Sequence, residues 1–207
     1  MIAGPGARLG KRLFDLCGAA VALVLLSPLL LFVALLIKLD SPGPVFFRQQ
    51  RVGRHGVPFA IHKFRTMAHG APGLELTVGA DPRITGVGAW LRRTRIDELP
   101  QFIDVLQGTM SLVGPRPEVP RYVTHYPAAL RARVLAVRPG ITDPASLDAL
   151  DESALLARAA DPEHEYTQHL LPAKLQRSAD YAARATLRSD AAVLWHTARR
   201  LLARHRG

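Results

Sequence analysis

The sequence predicts an α+β fold that is mainly α. Three observations carry this: a long uncharged apolar run near the N-terminus, one strand-turn-strand pattern after it, and then apolar residues at helical spacing between Pro/Gly-rich breaks. A chain of 207 residues has room for one compact core with attached elements rather than two full domains. The expected division is an N-terminal membrane helix over residues 1–40, a cytoplasmic core over 41–143 and a C-terminal helical region over 144–207.

From residue 16 to 37 no side chain is charged, and Leu, Val, Ala and Phe dominate. The hydrocarbon core of a bilayer asks for about 20 such residues, so the segment belongs in a membrane. Lys11 and Arg12 precede it as in a signal peptide, but the run exceeds the ~7–15 residues of one. Lys38-Leu-Asp-Ser-Pro42 also lacks a small-residue cleavage site, so retention is expected. Arg8, Lys11 and Arg12 flank one end while Lys38, Arg48, Arg51 and Arg54 follow the other, and the positive-inside rule wants both ends in the cytoplasm. Mid-run stands Ser27-Pro28, where proline removes a backbone donor and the serine hydroxyl can serve the freed carbonyl. A helix broken there could re-emerge from the leaflet it entered; a kinked spanning helix fits the residues equally well.

After Ser41-Pro-Gly-Pro44, residues 45–47 and 58–64 read as strands of a small β-hairpin around a turn at 53–56. Residues 68–82 read as a loop. Residues 85–95 and 99–106 read as helices, with Val87, Trp90 and Leu91, then Phe102, Ile103 and Leu106, on their apolar faces. Residues 111–120 and 138–143 are Pro/Gly-rich breaks around a short amphipathic helix at 126–137, which carries Arg131 and Arg133 on its polar side. Residues 149–206 are expected to be mostly helical. Their last stretch sets Leu194, Trp195, Ala198, Leu201 and Leu202 opposite Arg199, Arg200 and Arg204, a basic amphipathic face for a membrane surface or for the core.

Lys and Arg total 27 against 17 Asp and Glu, a formal charge of +10, which suits phosphates, nucleic acid or anionic headgroups. Only 6% of residues are aromatic and no run alternates arginine with stacking aromatics, which argues against nucleic acid. A lone cysteine, Cys17, within the apolar run excludes a disulfide scaffold or a cysteine-ligated zinc protein.

The chemistry centres on Arg95-Ile-Asp97-Glu98-Leu-Pro100. Neighbouring carboxylates on a regular helix diverge by ~100°, so they share a target only at a helix end. Asp97 is a good N-cap residue and Pro100 fits a first turn, so a helix beginning at the pair is expected. A capping aspartate is the commoner role for such a residue. The functional reading comes from the surrounding cations Lys63, Arg65, Arg92, Arg93, Arg95, Arg116 and Arg138, since guanidinium forks match phosphate oxygens in pairs.

Lys11-Arg-Leu-Phe-Asp15, Ser27-Pro28, Lys63-Phe-Arg-Thr-Met67, Leu91-Arg-Arg-Thr-Arg-Ile-Asp-Glu-Leu-Pro-Gln101, Ser111-Leu-Val-Gly-Pro-Arg-Pro-Glu118 and Arg138-Pro-Gly-Ile-Thr142 stand in order along the chain. In these blocks the chain resembles the bacterial sugar transferase family of monotopic polyprenyl-phosphate phosphoglycosyltransferases. The resemblance resumes weakly at Asp180-Tyr181 and Thr186-Leu-Arg-Ser-Asp190.

It implies that a UDP-sugar gives its phosphosugar to polyprenyl (undecaprenyl) phosphate with release of UMP, the first membrane step of a bacterial glycoconjugate. It implies a reentrant helix at Ser27-Pro28 and a catalytic core on the cytoplasmic face of the inner membrane. Residue by residue, it implies Asp97 as nucleophile, Glu98 as its acidic partner and Mg²⁺ held at Asp97 and Glu98. Lys63, Arg65, Arg92, Arg116 and Arg138 become substrate or phosphate contacts, with Glu118 and Pro117 shaping the same loop. The chain departs from the family pattern at Asp143-Pro-Ala-Ser146, where many members carry a Gly-rich stretch, which leaves the sugar unspecified. The rival reading is a catalytically idle membrane-surface adaptor that binds anionic lipid or a partner enzyme and has no need of Asp97 and Glu98.

Overall fold

The structure, a computed structural model, describes residues 5–70, 81–145 and 155–204. The expected loop at 68–82, the segment after Asp143-Pro-Ala145 and the start of the 149–206 region lie wholly or partly outside these, as do the side chains of Leu201, Leu202 and Arg204.

One helix, α1 (Pro5–Asp40), carries the whole apolar run. The helical backbone continues through Ser27-Pro28, so the expected break does not end the helix. Pro28 cannot donate to the carbonyl four residues back, and the Ser27 hydroxyl donates to that same Val24 carbonyl at 2.8 Å. The pair therefore repairs locally what proline removes. Val24, Leu25 and Leu31 are each 72% exposed. Among the described residues nothing covers this stripe, as in a helix whose solvent is lipid.

Both flanks of the stripe are nonetheless tied to the body. Near the start, Lys11 bonds Asp15 at 2.8 Å and Asp190 at 2.7 Å, Arg12 donates to the Leu106 carbonyl, and Ala19 is fully buried against Val105, Met110 and Leu112. Near the end, Val33 and Ile37 pack with Phe64 and Leu91.

The hairpin is present as β1 (Phe46–Val52) and β2 (Pro58–Phe64), antiparallel from Phe46↔Phe64 to Val52↔Pro58. Next come α2 (Gly86–Thr94), a 3₁₀ turn (Ile96–Gln101) and α3 (Phe102–Gln107). The two segments expected to be plain breaks instead pair as a parallel sheet, β3 (Ser111–Val113) with β4 (Gly140–Thr142), in the register Ser111↔Gly140. Three-residue strands are too short to show alternation, which is why the sequence conceals them. Gly140 makes their contact possible, because a Cβ there would lie 2.1 Å from the Gly114 nitrogen.

Between these strands lie α4 (Pro120–Val123) and α5 (Ala128–Val134). The C-terminal region is helical as expected: α6 (Pro162–Glu165), a π-turn (Tyr166–Leu170), α7 (Leu171–Arg184) and α8 (Leu187–Arg204). Leu171, Leu175 and Ala179 of α7 close one core with Val134, Tyr122 and Tyr166. Trp195 on α8 is 64% exposed, while Val193 and Leu194 pack inward. The apolar face of α8 is therefore split between the core and the surface.

Candidate active site

Asp97 and Glu98 lie in the first turn of the 3₁₀ segment, just after the α2 C-cap. The cap is Arg95, a non-glycine residue at φ 61°, and this left-handed step costs about 1–2 kcal/mol. It reverses the chain so that both carboxylates turn inward, Asp97 2% and Glu98 7% exposed. Asp97 does not cap a helix as expected, because the cap position belongs to Arg95 and no side chain closes the turn. With the capping role removed, two nearly buried carboxylates remain to be explained.

Both converge on Lys63 of β2, whose Nζ lies 2.8 Å from Asp97 Oδ2 and 3.6 Å from Glu98 Oε1. The strand is fixed beside them by Asp104 of α3, which accepts the His62 backbone N–H at 2.8 Å and meets the His62 ring Nδ1 at 2.7 Å. Arg116, in the loop after β3, grips Glu98 with a fork at 2.6 and 3.3 Å, and Arg95 adds a third cation at 3.7 Å. Burial alone would push the Glu98 carboxyl up. Arg116, Lys63 and Arg95 together overrule it and hold the group well below the usual carboxylate range. Glu98 is thus a fixed anion and a weak base.

Asp97 is different in one respect. Its Oδ2 is held by Lys63, while Oδ1 is buried with no hydrogen-bond partner. An orphaned buried carboxylate oxygen is costly unless something else uses it. The Arg92 guanidinium, whose pKa is lowered by burial and raised most by the charge of Asp97, also has no hydrogen-bond partner among the described residues. A cation that feels the Asp97 charge and a buried Asp97 oxygen are thus both without a hydrogen-bond partner.

A family model described as "Bacterial sugar transferase" matches residues 6–204. The chain belongs to the bacterial sugar transferase family. Among its relatives is the UDP-N-acetylgalactosamine-undecaprenyl-phosphate N-acetylgalactosaminephosphotransferase of Aeromonas hydrophila, 46% identical over 64% of this chain and 32% of that protein. The exopolysaccharide production protein PSS of Rhizobium leguminosarum bv. phaseoli is 55% identical over 51% of this chain and 54% of its own length. The UDP-glucose:undecaprenyl-phosphate glucose-1-phosphate transferase of Escherichia coli K12 is 48% identical over 65% of this chain and 30% of the relative. The matched stretches thus span between 30% and 54% of these relatives.

In this family member the site residues read from sequence separate into two groups. Lys63, Arg92, Asp97, Glu98 and Arg116 come together. Arg65 does not: its guanidinium donates to the carbonyls of Pro44, Pro42 and Ser41 at 2.7, 2.7 and 2.8 Å and reaches toward Ile37, tying the end of α1 to the hairpin. β2 ends at Phe64, and one residue beyond the strand Arg65 no longer follows Lys63 onto the same face. Glu118 also faces away, accepting the Tyr166 hydroxyl at 2.5 Å with Arg51 at 3.6 Å. Arg138 gives its Nε to the Gly108 carbonyl at 2.8 Å and lines a separate cavity.

Asp143, read from sequence only as a departure from the family pattern, carries a structural role. It accepts the Arg116 backbone N–H at 3.0 Å, the Ala145 N–H at 2.9 Å and the Ser178 hydroxyl of α7 at 3.0 Å. Burial pushes its carboxyl up. It anchors the loop from which Arg116 reaches Glu98. The available signal was an acid directly after the Arg138-Pro-Gly-Ile-Thr142 block.

Proposed function

We propose that the protein is a phosphoglycosyltransferase that moves a phosphosugar from a UDP-sugar to polyprenyl phosphate and releases UMP. The names of the relatives support the substrate classes: a UDP-sugar and undecaprenyl phosphate. The observation that carries the mechanism is the unpartnered Oδ1 of Asp97 beside a Lys63-held Oδ2.

Oδ1 attacks the β-phosphorus of the donor. A bond forms between the carboxylate oxygen and phosphorus, the bond from that phosphorus to the bridging oxygen breaks, and UMP leaves with the electron pair. An oxygen of the lipid phosphate then attacks the same phosphorus and expels the Asp97 carboxylate, which restores the enzyme without net proton transfer. Carboxylates serve as phosphoryl acceptors in this way. Lys63 holds Asp97 Oδ2 at 2.8 Å and so orients the carboxylate, and Arg92 is the cation offered to the phosphate oxygens. Arg116 has the same fork available once substrate competes with Glu98 for it.

Among the described residues no set of three His, Cys, Asp or Glu is arranged for a metal. Two neighbouring carboxylates, one with an orphaned oxygen, do suit Mg²⁺, which takes one or two carboxylates and completes its shell with substrate phosphates and water. Asp97 and Glu98 would hold it. Bound there, it would supply positive charge that reduces repulsion between an anionic nucleophile and a diphosphate.

The ties at the two ends of α1 support a reentrant membrane placement. A straight crossing would put Lys11 and Ile37 on opposite sides of ~30 Å of hydrocarbon, yet one body holds both, through Asp190 and through Arg65. A helix that enters and leaves the same cytoplasmic leaflet at Ser27-Pro28 satisfies both ties. Purified protein in detergent, given polyprenyl phosphate, Mg²⁺ and a panel of UDP-sugars, is expected to release UMP from at least one, and Asp97→Asn to abolish release. Release of UDP instead would overturn the reaction.

A further inference from the structure

A cavity of about 430 Å³ opens between the first turns of α1, the chain after α5 and the end of α7. None of Asp97, Glu98, Lys63 and Arg92 lines it. Five cations do: Arg8, Lys11, Arg54, Arg133 and Arg138, of which Lys11 is paired with Asp190 and Arg133 with Asp180 beyond the wall, against the single lining carboxylate of Asp15. That carboxylate is already committed to Lys11 at 2.8 Å and to the Leu112 backbone N–H at 3.2 Å. The remaining wall is apolar, built largely from alanines of α7 with Val113 and Val137.

The cationic donors are only partly used. Arg54 spends its Nε on the Ala136 carbonyl at 3.0 Å, and Arg138 its Nε on the Gly108 carbonyl. The Nη groups of both, and the whole Arg8 guanidinium, have no partner among the described residues. Burial, and next to it the neighbouring Arg12, lower Arg138 below its ordinary value, and the Asp15 carboxylate only partly offsets them. A bare inorganic ion gains nothing from an alanine-lined wall, whereas an amphiphile with a charged head uses both surfaces.

The position names the source of that amphiphile. Arg8, Lys11 and Asp15 share one face of α1, at i, i+3 and i+7, immediately before the apolar run begins at residue 16. The cavity mouth therefore stands where the membrane placement above puts the water–lipid boundary. We propose that this cavity is a binding site for the phosphate headgroup of a membrane lipid, with Arg8, Arg54 and Arg138 on the phosphate and the apolar wall against the first carbons of the lipid. The site rests on that membrane placement and not on the transfer reaction. Its floor includes Gly114-Pro115, and the next residue, Arg116, holds Glu98. A bound headgroup would thus brace the loop that carries Arg116.

The test is calorimetric titration of the detergent-purified full chain with a short-chain phosphatidate below its micelle concentration, beside the matching phosphatidylcholine, inorganic phosphate and UMP. The phosphatidate is expected to bind about tenfold tighter than any of the other three. Arg54→Ala and Arg8→Ala should each weaken it by about tenfold, the loss of one charge-assisted hydrogen bond, and Arg199→Ala on α8 should leave it unchanged. Asp97→Asn should bind the phosphatidate as the wild type does, so failure of the reaction and failure of this site are read separately. Equal binding of phosphatidylcholine or inorganic phosphate, displacement of the phosphatidate by UMP, or indifference to both Arg8→Ala and Arg54→Ala would overturn the proposal.

Discussion

Asp97 and Glu98 are sequence neighbours with opposite local fates: Glu98 meets three cations, while Asp97 keeps one oxygen free. The depressed Glu98 carboxyl makes the stability of the fold depend on pH. Its folded pKa lies below its ordinary value of 4.5, so its contribution is fully present above pH 4.5 and is lost as pH falls through the folded pKa. Glu98→Gln is expected to lower stability by on the order of 3 kcal/mol near neutrality, as for a broken buried pair. The gap to wild type should close as the medium is acidified below pH 4.5; thermal unfolding in detergent across that range measures it. A constant gap would show that the carboxylate's charge is not what matters. At this scale the sequence identified the residue types and blocks but not their direction. Lys63 and Arg65 are two apart and would share a face in a continuing strand, yet β2 stops between them and Arg65 turns back to α1.

Among the elements, the parallel pair β3 and β4 matters most to the site, because it holds the loop of Arg116 against Asp143. Gly140→Ala would place a Cβ 2.1 Å from the Gly114 backbone nitrogen. Backbone must then move, with an expected loss of about 1–3 kcal/mol and of most UMP release, read by thermal unfolding and by turnover on the same preparation. Wild-type turnover in this variant would detach the pair from catalysis. Neither the strands nor the left-handed step at Arg95 was legible in the sequence. Three residues show no alternation, and nothing local marks an arginine for positive φ. The hairpin and the helical series were legible, since both bury enough apolar side chains to leave a period.

For the whole molecule, the apolar helix and its basic flanks were plain in the sequence, while its path was not. Ser27-Pro28 fits a kinked or a reentrant helix equally, and the ties at both ends of α1, through Lys11 and through Arg65, are the reason for proposing the reentrant path. In a Cys17→Ala background, single cysteines introduced by Gly6→Cys and Ser41→Cys should both resist a membrane-impermeant thiol reagent in intact cells. Labelling at Gly6→Cys alone would mean the helix spans.

The covalent role of Asp97 is tested most directly by intact-protein mass measurement after mixing the enzyme with Mg²⁺ and its UDP-sugar in the absence of lipid acceptor. The expected result is a mass increase equal to one phosphosugar, matched by one equivalent of UMP, absent in Asp97→Asn and discharged when polyprenyl phosphate is added. Turnover with acceptor present, but neither adduct nor UMP without it, would contradict the account.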